Sequence, residues 1–454
     1  MKYKKVIKVA GFMTVITIIS KFLGLIREMM LASIYGVGPE LTAFLAGSKV
    51  PLTLFDVTLG GVVSAAFIPV FSEAVVKKDK KAAFKFTNEY INFILMVTIV
   101  LTIGGLAFTK PLIMFTLSGN DILPETIELA INLSKIMFPM IIFTGLAYCF
   151  VGLLNCHEQF YITSVLSFVS NSVIILYLLW KGTDIYGLAV VMLLAWSLQV
   201  LVQLPFAYKY GFRYKPIFKF SPEIKEALLL AVPILVSSWA APISSLVNMK
   251  MASELYEGKA IVAMELASRL YVVIAGIFAY VISNLSYPFL SKAGIDDDKH
   301  TIGNLLDTIL KSITLIITPI MIGIIILAVP IVRIAYERGN FTAEDTQMTA
   351  LALMSMGTGM LSFSYNEVLN KTFYALKQPK IPMYTAMIGI VVSIVLSVIL
   401  PRYLAIVGLG LATSLGAITT NIINFIVIKK QVPINRKKWV DFIKMAVSLM
   451  KTSE

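Results

Sequence analysis

Apolar residues run along this chain in helix-length blocks, each of the roughly 20 residues that a helix needs to cross a hydrocarbon layer about 30 Å thick. Short polar stretches separate the blocks and carry most of the charge. The blocks do not alternate in the period of two that marks the strands of a membrane barrel, and backbone groups in lipid must pair within their own segment. The pattern therefore predicts helices near 7–34, 40–72, 84–107, 125–155, 160–181, 184–208, 223–250, 262–290, 305–328, 344–376, 381–400 and 404–429. The expected fold is an all-α polytopic membrane protein with about 12 transmembrane helices. Pro51 and Gly60-Gly61 interrupt the second block, Pro139 the fourth, and Pro233 and Pro242 the seventh. Bends are expected there, because proline removes a backbone donor and clashes with the preceding turn.

The blocks repeat. Pro69, Ser72 and Ala74 recur as Pro288, Ser291 and Ala293; Pro111 as Pro330; Gly119-Asn120 as Gly339-Asn340; Phe150 as Phe373; and Gly187-Leu188 as Gly408-Leu409. An ordered series at a nearly constant offset points to a duplicated unit. The expected organisation is two six-helix lobes, 1–208 and 223–430, joined by a linker at 209–222 and followed by a basic, amphipathic tail at 431–454. Six is even, so both copies enter the membrane in one direction and are related by a parallel pseudo-twofold repeat, a common plan for transporters.

Composition agrees: 58% of the 454 residues are hydrophobic and only 14% are charged, more apolar surface than a soluble domain needs. A net charge of +13 could suggest nucleic acid, but its distribution excludes that partner. About 23 Lys and Arg fall on the side of the N-terminus and about 7 opposite, the bias of cytoplasmic loops facing anionic membrane lipids. The densest groups are Lys77, Lys78, Lys80, Lys81 and Lys85; Lys209, Arg213, Lys215, Lys219 and Lys225; and Lys429, Lys430, Arg436, Lys437 and Lys438. Both termini are expected to be cytoplasmic, in a multi-pass membrane protein. Cys149 and Cys156, seven apart on one helix, read as unbonded apolar filler. The MKYKK start with its long apolar run reads as a retained first span rather than a cleaved signal.

Charge inside the bilayer is expensive, so ionisable residues within spans are candidates for function. The first span carries Lys21 and Arg27 with Glu28 beside them; the second, Lys49 and Asp56; the eighth, Arg269 with Glu265 one turn before it. Lys250 and Glu254 form another pair of that spacing. More cations than anions suits an anionic substrate, and the planar fork of arginine suits phosphate. Enzymatic chemistry finds little support. His157 and His300 fall in loops, Asp296, Asp297 and Asp298 lack a second acidic cluster, and no phosphate loop of the G-x-x-x-x-G-K type occurs. No enzyme activity and no cofactor or metal is expected.

These residues lie in motifs that resemble a known family. SKFLGLIREMMLASIYGVGPELTAF is similar to the first-helix signature of the MurJ (MviN) lipid II flippases of the MOP exporter superfamily, and KVPLTLFDVTLGGVVSAAFIPVFSE, YERGNFTAEDT and FYALKQPKIPMYTAMIGI agree in order. The likeness runs from about residue 7 to 430. It implies two six-helix lobes around a cationic cavity, flipping an undecaprenyl-pyrophosphate-linked peptidoglycan precursor to the outer leaflet. The family's first-helix arginine and following acid match Arg27 and Glu28, its helix 8 arginine matches Arg269, and its helix 2 lysine matches Lys49. The chain departs from the pattern at Lys21 (usually arginine), Thr42 (usually aspartate), Phe55 (arginine) and Gly60 (glutamate). It also ends before two further helices usual in relatives, and 381–429 lacks the carboxylates with which some of them hold sodium.

The expected activity is lipid II flipping by alternating access. Lys21, Arg27, Lys49 and Arg269 would bind the pyrophosphate, with Glu28, Glu265 and Asp56 as charge or coupling partners. The expected partners are the polyprenyl-pyrophosphate-linked sugar lipid, anionic membrane lipids and cell-wall synthesis proteins. The alternatives are a flippase for another polyprenyl-linked glycan (capsule, teichoic acid or O-antigen type), a drug exporter of the same superfamily, a transferase acting on such lipids, and a non-transporting wall-synthesis scaffold.

Overall fold

The computed structural model describes residues 2–59, 62–296 and 298–433, and the described residues are predominantly helical, with no strand among them. The first repeat comprises α1 (Lys2–Tyr35), α2 (Pro39–Thr58), α3 (Val62–Lys77), α4 (Lys80–Ala107), α5 (Thr109–Thr116), α6 (Pro124–Met137), α7 (Met140–Cys156), α8 (Phe160–Lys181) and α9 (Ile185–Lys209). The second comprises α10 (Pro222–Ser238), α11 (Ala240–Ser253), α12 (Lys259–Ile295), α13 (Lys299–Ile326), α14 (Ala328–Tyr336), α15 (Ala343–Gly357), α16 (Met360–Ala375), α17 (Lys380–Ile399) and α18 (Pro401–Lys429). Among these, α4, α8, α9, α13, α17 and α18 are each long and apolar enough to cross a membrane, and α6 with α7 makes a further span bent by 40°. The other expected spans fall on the long α1 and α12 and on the broken pairs α2–α3, α10–α11 and α15–α16.

The breaks are not all where proline stands. α6 and α7 separate at Phe138-Pro139 as expected, but α2 continues through Pro51 and ends at Thr58, just before the Gly60-Gly61 pair. α10 contains Pro233 and ends at Ser238, and Pro242 lies in the first turn of α11, where its missing N–H costs nothing. The break between α15 and α16 at Thr358-Gly359 has no proline at all, yet it occupies the place of Pro139 in the repeat. Two short helices, α5 and α14, were not legible as separate elements. They follow the third span of each copy. The repeat extends to helix starts: Asp79 accepts from Ala82 N at 2.6 Å to cap α4, and Asp298, its counterpart, accepts from Thr301 N at 2.9 Å to cap α13. That cap accounts for one member of the Asp296–Asp298 run; its bonds to Thr301 hold its carboxyl below the usual range. The 431–454 tail lies outside the described residues beyond Pro433.

Packing divides the chain differently from the repeat. One compact unit runs to Val262 and takes in Arg338–Thr342; the other comprises Ala263–Glu337 and the chain from Ala343. α10 and α11, which open the second repeat, therefore belong to the first unit, where α10 lies on α3 and α11 on α2 and α5. In that unit α1 pairs with α8, α2 with α6, and α7 with α3, α4 and α9. Phe55, Phe67, Phe86, Phe138 and Phe212 are fully buried. Threonines 87, 98, 102, 109 and 144 return their hydroxyls to the carbonyl four residues back, which satisfies those buried donors within their own helices. Cys149 and Cys156 are free thiols, Cys149 buried.

In the second unit small residues decide the packing. Gly389 and Ser393 on α17 face Gly416 and Thr420 on α18. A Cβ at Gly416 would stand 2.7 Å from the Gly389 carbonyl oxygen, so the two backbones are already in contact. Asn366 on α16 donates to the Ala417 carbonyl at 3.0 Å, while Thr385 donates to Asn424 at 2.7 Å. These amide and hydroxyl groups join α16 and α17 to α18, and α17 and α18 carry no acid.

Candidate transport site

The site is built on α1. Ser20, Gly24, Arg27 and Glu28 follow the spacing of one helix face, and α8 lies against that face. The absence of a side chain at Gly24 admits Asn171 of α8, whose Nδ2 would sit 3.7 Å from an added Cβ. Asn171 donates to the Ser20 carbonyl at 3.3 Å and accepts from Arg27 Nη1 at 3.0 Å. The other terminal nitrogen, Nη2, donates to the Glu28 carboxylate in an ion pair. Adjacent residues on a helix point about 100° apart, so the long arginine side chain folds back to reach its neighbour. The Glu28 side chain is 3% exposed and that of Arg27 16%. An isolated charge at that depth is costly, and a paired one much less so. Nε of Arg27 is buried and makes no hydrogen bond. The guanidinium is thus aligned by two partners.

Asn171 was missed in the sequence. Its signal was an amide in the otherwise apolar SVLSFVSNSVIILYLLW, where a carboxamide in lipid requires a partner.

Lys21 lies on α1, half-buried, and Lys49 on α2, also half-buried. Asp56 sits two turns beyond Lys49 on the same face of α2 and is exposed. In the second unit, Arg269 Nη2 meets Glu265 Oε1 at 2.6 Å across one turn of α12, with the arginine side chain 48% exposed. Lys250 stands over the Phe115 ring at 5.1 Å instead of pairing with Glu254. His157 is enclosed by Phe71, Phe84 and Tyr210 and bonds the Leu153 carbonyl through Nδ1. No group of three or more metal-ligating side chains is assembled among the described residues.

A second feature of the first unit uses the repeated Gly-Asn pairs. Gly36 ends α1 in the left-handed conformation (φ +61°) with its N–H on the Ala32 carbonyl. The 338–342 segment lies on this end: Asn340 N donates to the Ser33 carbonyl at 2.8 Å, and its side chain donates to the Ile34 carbonyl. The end of α11 receives the 117–121 loop in the same way. Ser118 N donates to Ser253 Oγ at 3.1 Å and Ser118 Oγ to Glu254 at 3.4 Å. Ser33 and Ser253 are equivalent in the repeat, as are Gly119 and Gly339. Each copy therefore supplies the loop that caps the first span of the other. Both glycines are required by contact: a Cβ would lie 2.1 Å from the Ser253 oxygen at Gly119, and 2.2 Å from the Ser33 oxygen at Gly339.

Comparison with known proteins agrees with this architecture. The family model described as lipid II flippase MurJ matches residues 31–452. The probable lipid II flippase MurJ of Buchnera aphidicola is 28% identical over 425 residues, covering 92% of this chain and 82% of the relative. The lipid II flippase MurJ of Burkholderia cenocepacia is 25% identical over 440 residues, covering 94% and 84%. A solved lipid II flippase MurJ in an inward closed conformation superposes with a TM-score of 0.83 at 26% identity, over 97% of this chain and 93% of that one. An inward-facing multidrug resistance MATE family transporter of the MOP superfamily gives 0.74 at 14% identity, over 97% and 100%, a likeness of fold alone. With the repeat, the first-helix motif and a match over nearly the whole length in agreement, this chain belongs to the lipid II flippase MurJ family.

Proposed function

We propose that the protein carries lipid II, a polyprenyl-pyrophosphate-linked peptidoglycan precursor, from the cytoplasmic to the outer leaflet of the bacterial inner membrane by alternating access. Family membership supports the substrate class. The observation that carries the reading to particular atoms is the half-buried Arg27 fork, aligned by Glu28 and Asn171. A pyrophosphate oxygen matches that donor edge in charge and geometry. Lys21 and Lys49 add positive charge for the same headgroup, with Glu28 and Asp56 as their charge partners; in its own unit Arg269, paired with Glu265, is a further candidate for phosphate. The polyprenyl tail remains in lipid. No bond is made or broken, so the work lies in moving charge, and the membrane potential acts directly on charge that crosses the bilayer.

The bias of basic residues supports a cytoplasmic position for both termini. The Gly-Asn loops on α1 and α11 then lie on the outer side, where they hold the outer ends of the two first spans and release when the site opens outward. Product emerges where cell-wall synthesis proteins can take it. A second reading, a flippase for another polyprenyl-linked glycan, is favoured by Phe55, which is buried and stacked on Tyr148 where relatives carry an arginine. Reconstituted protein offered lipid II and a different undecaprenyl-pyrophosphate glycan in parallel separates the two: lipid II flipped faster supports the first, and exclusive movement of the other replaces it.

A further inference from the structure

The segment between α9 and α10 is an extended strap whose backbone is held by side chains of α4. Asn88 and Asn92, one turn apart and both almost fully buried, form the clamp. Asn88 donates to the Arg213 carbonyl at 3.1 Å and accepts from Lys215 N at 2.7 Å, a two-bond pairing like that of a neighbouring strand. Asn92 donates to the carbonyls of Lys215 and Ile217 at 3.1 and 3.2 Å and accepts from the Tyr214 hydroxyl at 2.6 Å. Phe212 is fully buried and packs edge-on against Phe84 and Phe150. A connector that only joined two helices would not need two dedicated amides and a buried aromatic anchor.

What the clamp presents is specific. Tyr214, Phe218 and Phe220 are 46%, 75% and 63% exposed, and they alternate with exposed Lys215 and Lys219, while Lys209 is exposed at the end of α9. Arg213 is not among the free cations, because its guanidinium bonds the carbonyls of Tyr208 and Phe212 and lies over the Tyr208 ring. Water is a poor solvent for three exposed rings in seven residues, and the headgroup layer of a bilayer is a good one. The strap stays near that layer, since it leaves the end of α9, a helix long and apolar enough to cross a membrane, and leads into the start of α10.

We propose that residues 208–220 form a docking site for anionic phospholipid headgroups, with Phe218 and Phe220 seated in the interface and Lys209, Lys215 and Lys219 holding the phosphates. Each lysine near a charged surface enriches anionic lipid by about fivefold before screening. The inference stands apart from the substrate assignment, because its readout involves no transport.

Phe218→Trp places a reporter at the most exposed ring, where folding is least at risk. The full-length variant is reconstituted in nanodiscs with brominated phosphatidylglycerol or brominated phosphatidylcholine at equal mole fraction, and the signal of the parent protein is subtracted. The expected result is quenching at least about twofold stronger by the brominated anionic lipid, falling to equality when Lys215→Gln and Lys219→Gln are added. Quenching by neither lipid would remove the strap from the membrane surface. Equal quenching by both in the presence of the lysines would remove the anionic selectivity. Either result overturns the proposal.

Discussion

Gly119→Ala isolates the loop contact on α11 from every other feature of the fold. The added methyl would stand 2.1 Å from the Ser253 carbonyl oxygen and 2.9 Å from its carbon, against a comfortable separation of about 3.5 Å. Backbone cannot yield as a flexible side chain does, so the loop must retreat by roughly an ångström or more. Retreat breaks the Ser118 bonds to Ser253 and Glu254. Gly119 is not among the positive-φ glycines, so alanine adds no backbone strain and the effect comes from the contact alone. One good hydrogen bond and one weak one amount to about 1–2 kcal/mol, which moves an open–closed equilibrium by about 5- to 30-fold. Gly339→Ala should do more, since φ there is +60° and a left-handed alanine adds about 1–2 kcal/mol. Spin labels at the exposed Leu123 and Tyr256 report the separation of loop and helix end. We expect a new, longer-distance population in Gly119→Ala, and an unchanged distribution in Gly104→Ala, where an added Cβ has no neighbour within 4 Å. An unaltered distance distribution together with unaltered transport in Gly119→Ala would refute the role assigned to these loops.

Two further outcomes follow from the ion pairs. Glu28→Gln removes the buried carboxylate that pairs with the half-buried Arg27 and should cost about 3 kcal/mol, whereas Glu265→Gln, beside a half-exposed Arg269, should cost less than about 1 kcal/mol; thermal unfolding in detergent compares them, and equal losses would contradict the burial argument. Asn171→Leu removes the neutral acceptor of Arg27 Nη1 and should cost about 1.5–3 kcal/mol of alignment, lowering transport at undiminished membrane insertion; normal transport in this variant would mean that the amide plays no positioning part.

Much of this fold could be read from residue order alone, for identifiable reasons. Lipid forbids unpaired backbone, so apolar length translates directly into helices, and nearly every expected span corresponds to a helix or a broken pair. The duplication was visible because Pro, Gly and Asn mark turns that both copies retain. Where sequence reasoning failed, it trusted proline too far: Pro51 is carried within α2, while the Thr358-Gly359 break needed only its place in the repeat to be foreseen. The partnerships were less accessible. The Glu265–Arg269 pair follows from spacing along one helix, but the acceptor of Arg27 Nη1 lies 144 residues away in Asn171. Helix periodicity has no term for such a contact. For the same reason the unit boundary near Val262 was hidden, because α10 and α11 join the first unit through tertiary packing that no local pattern records.

The most direct test of the account is lipid II exposure on the far leaflet of proteoliposomes containing this chain or its Arg27→Ala variant, each verified as inserted. The account predicts movement of lipid II by the unaltered chain and its loss in the variant. Full movement by Arg27→Ala, or none by the unaltered chain with another undecaprenyl-pyrophosphate glycan moved instead, would contradict the pyrophosphate site or the substrate respectively.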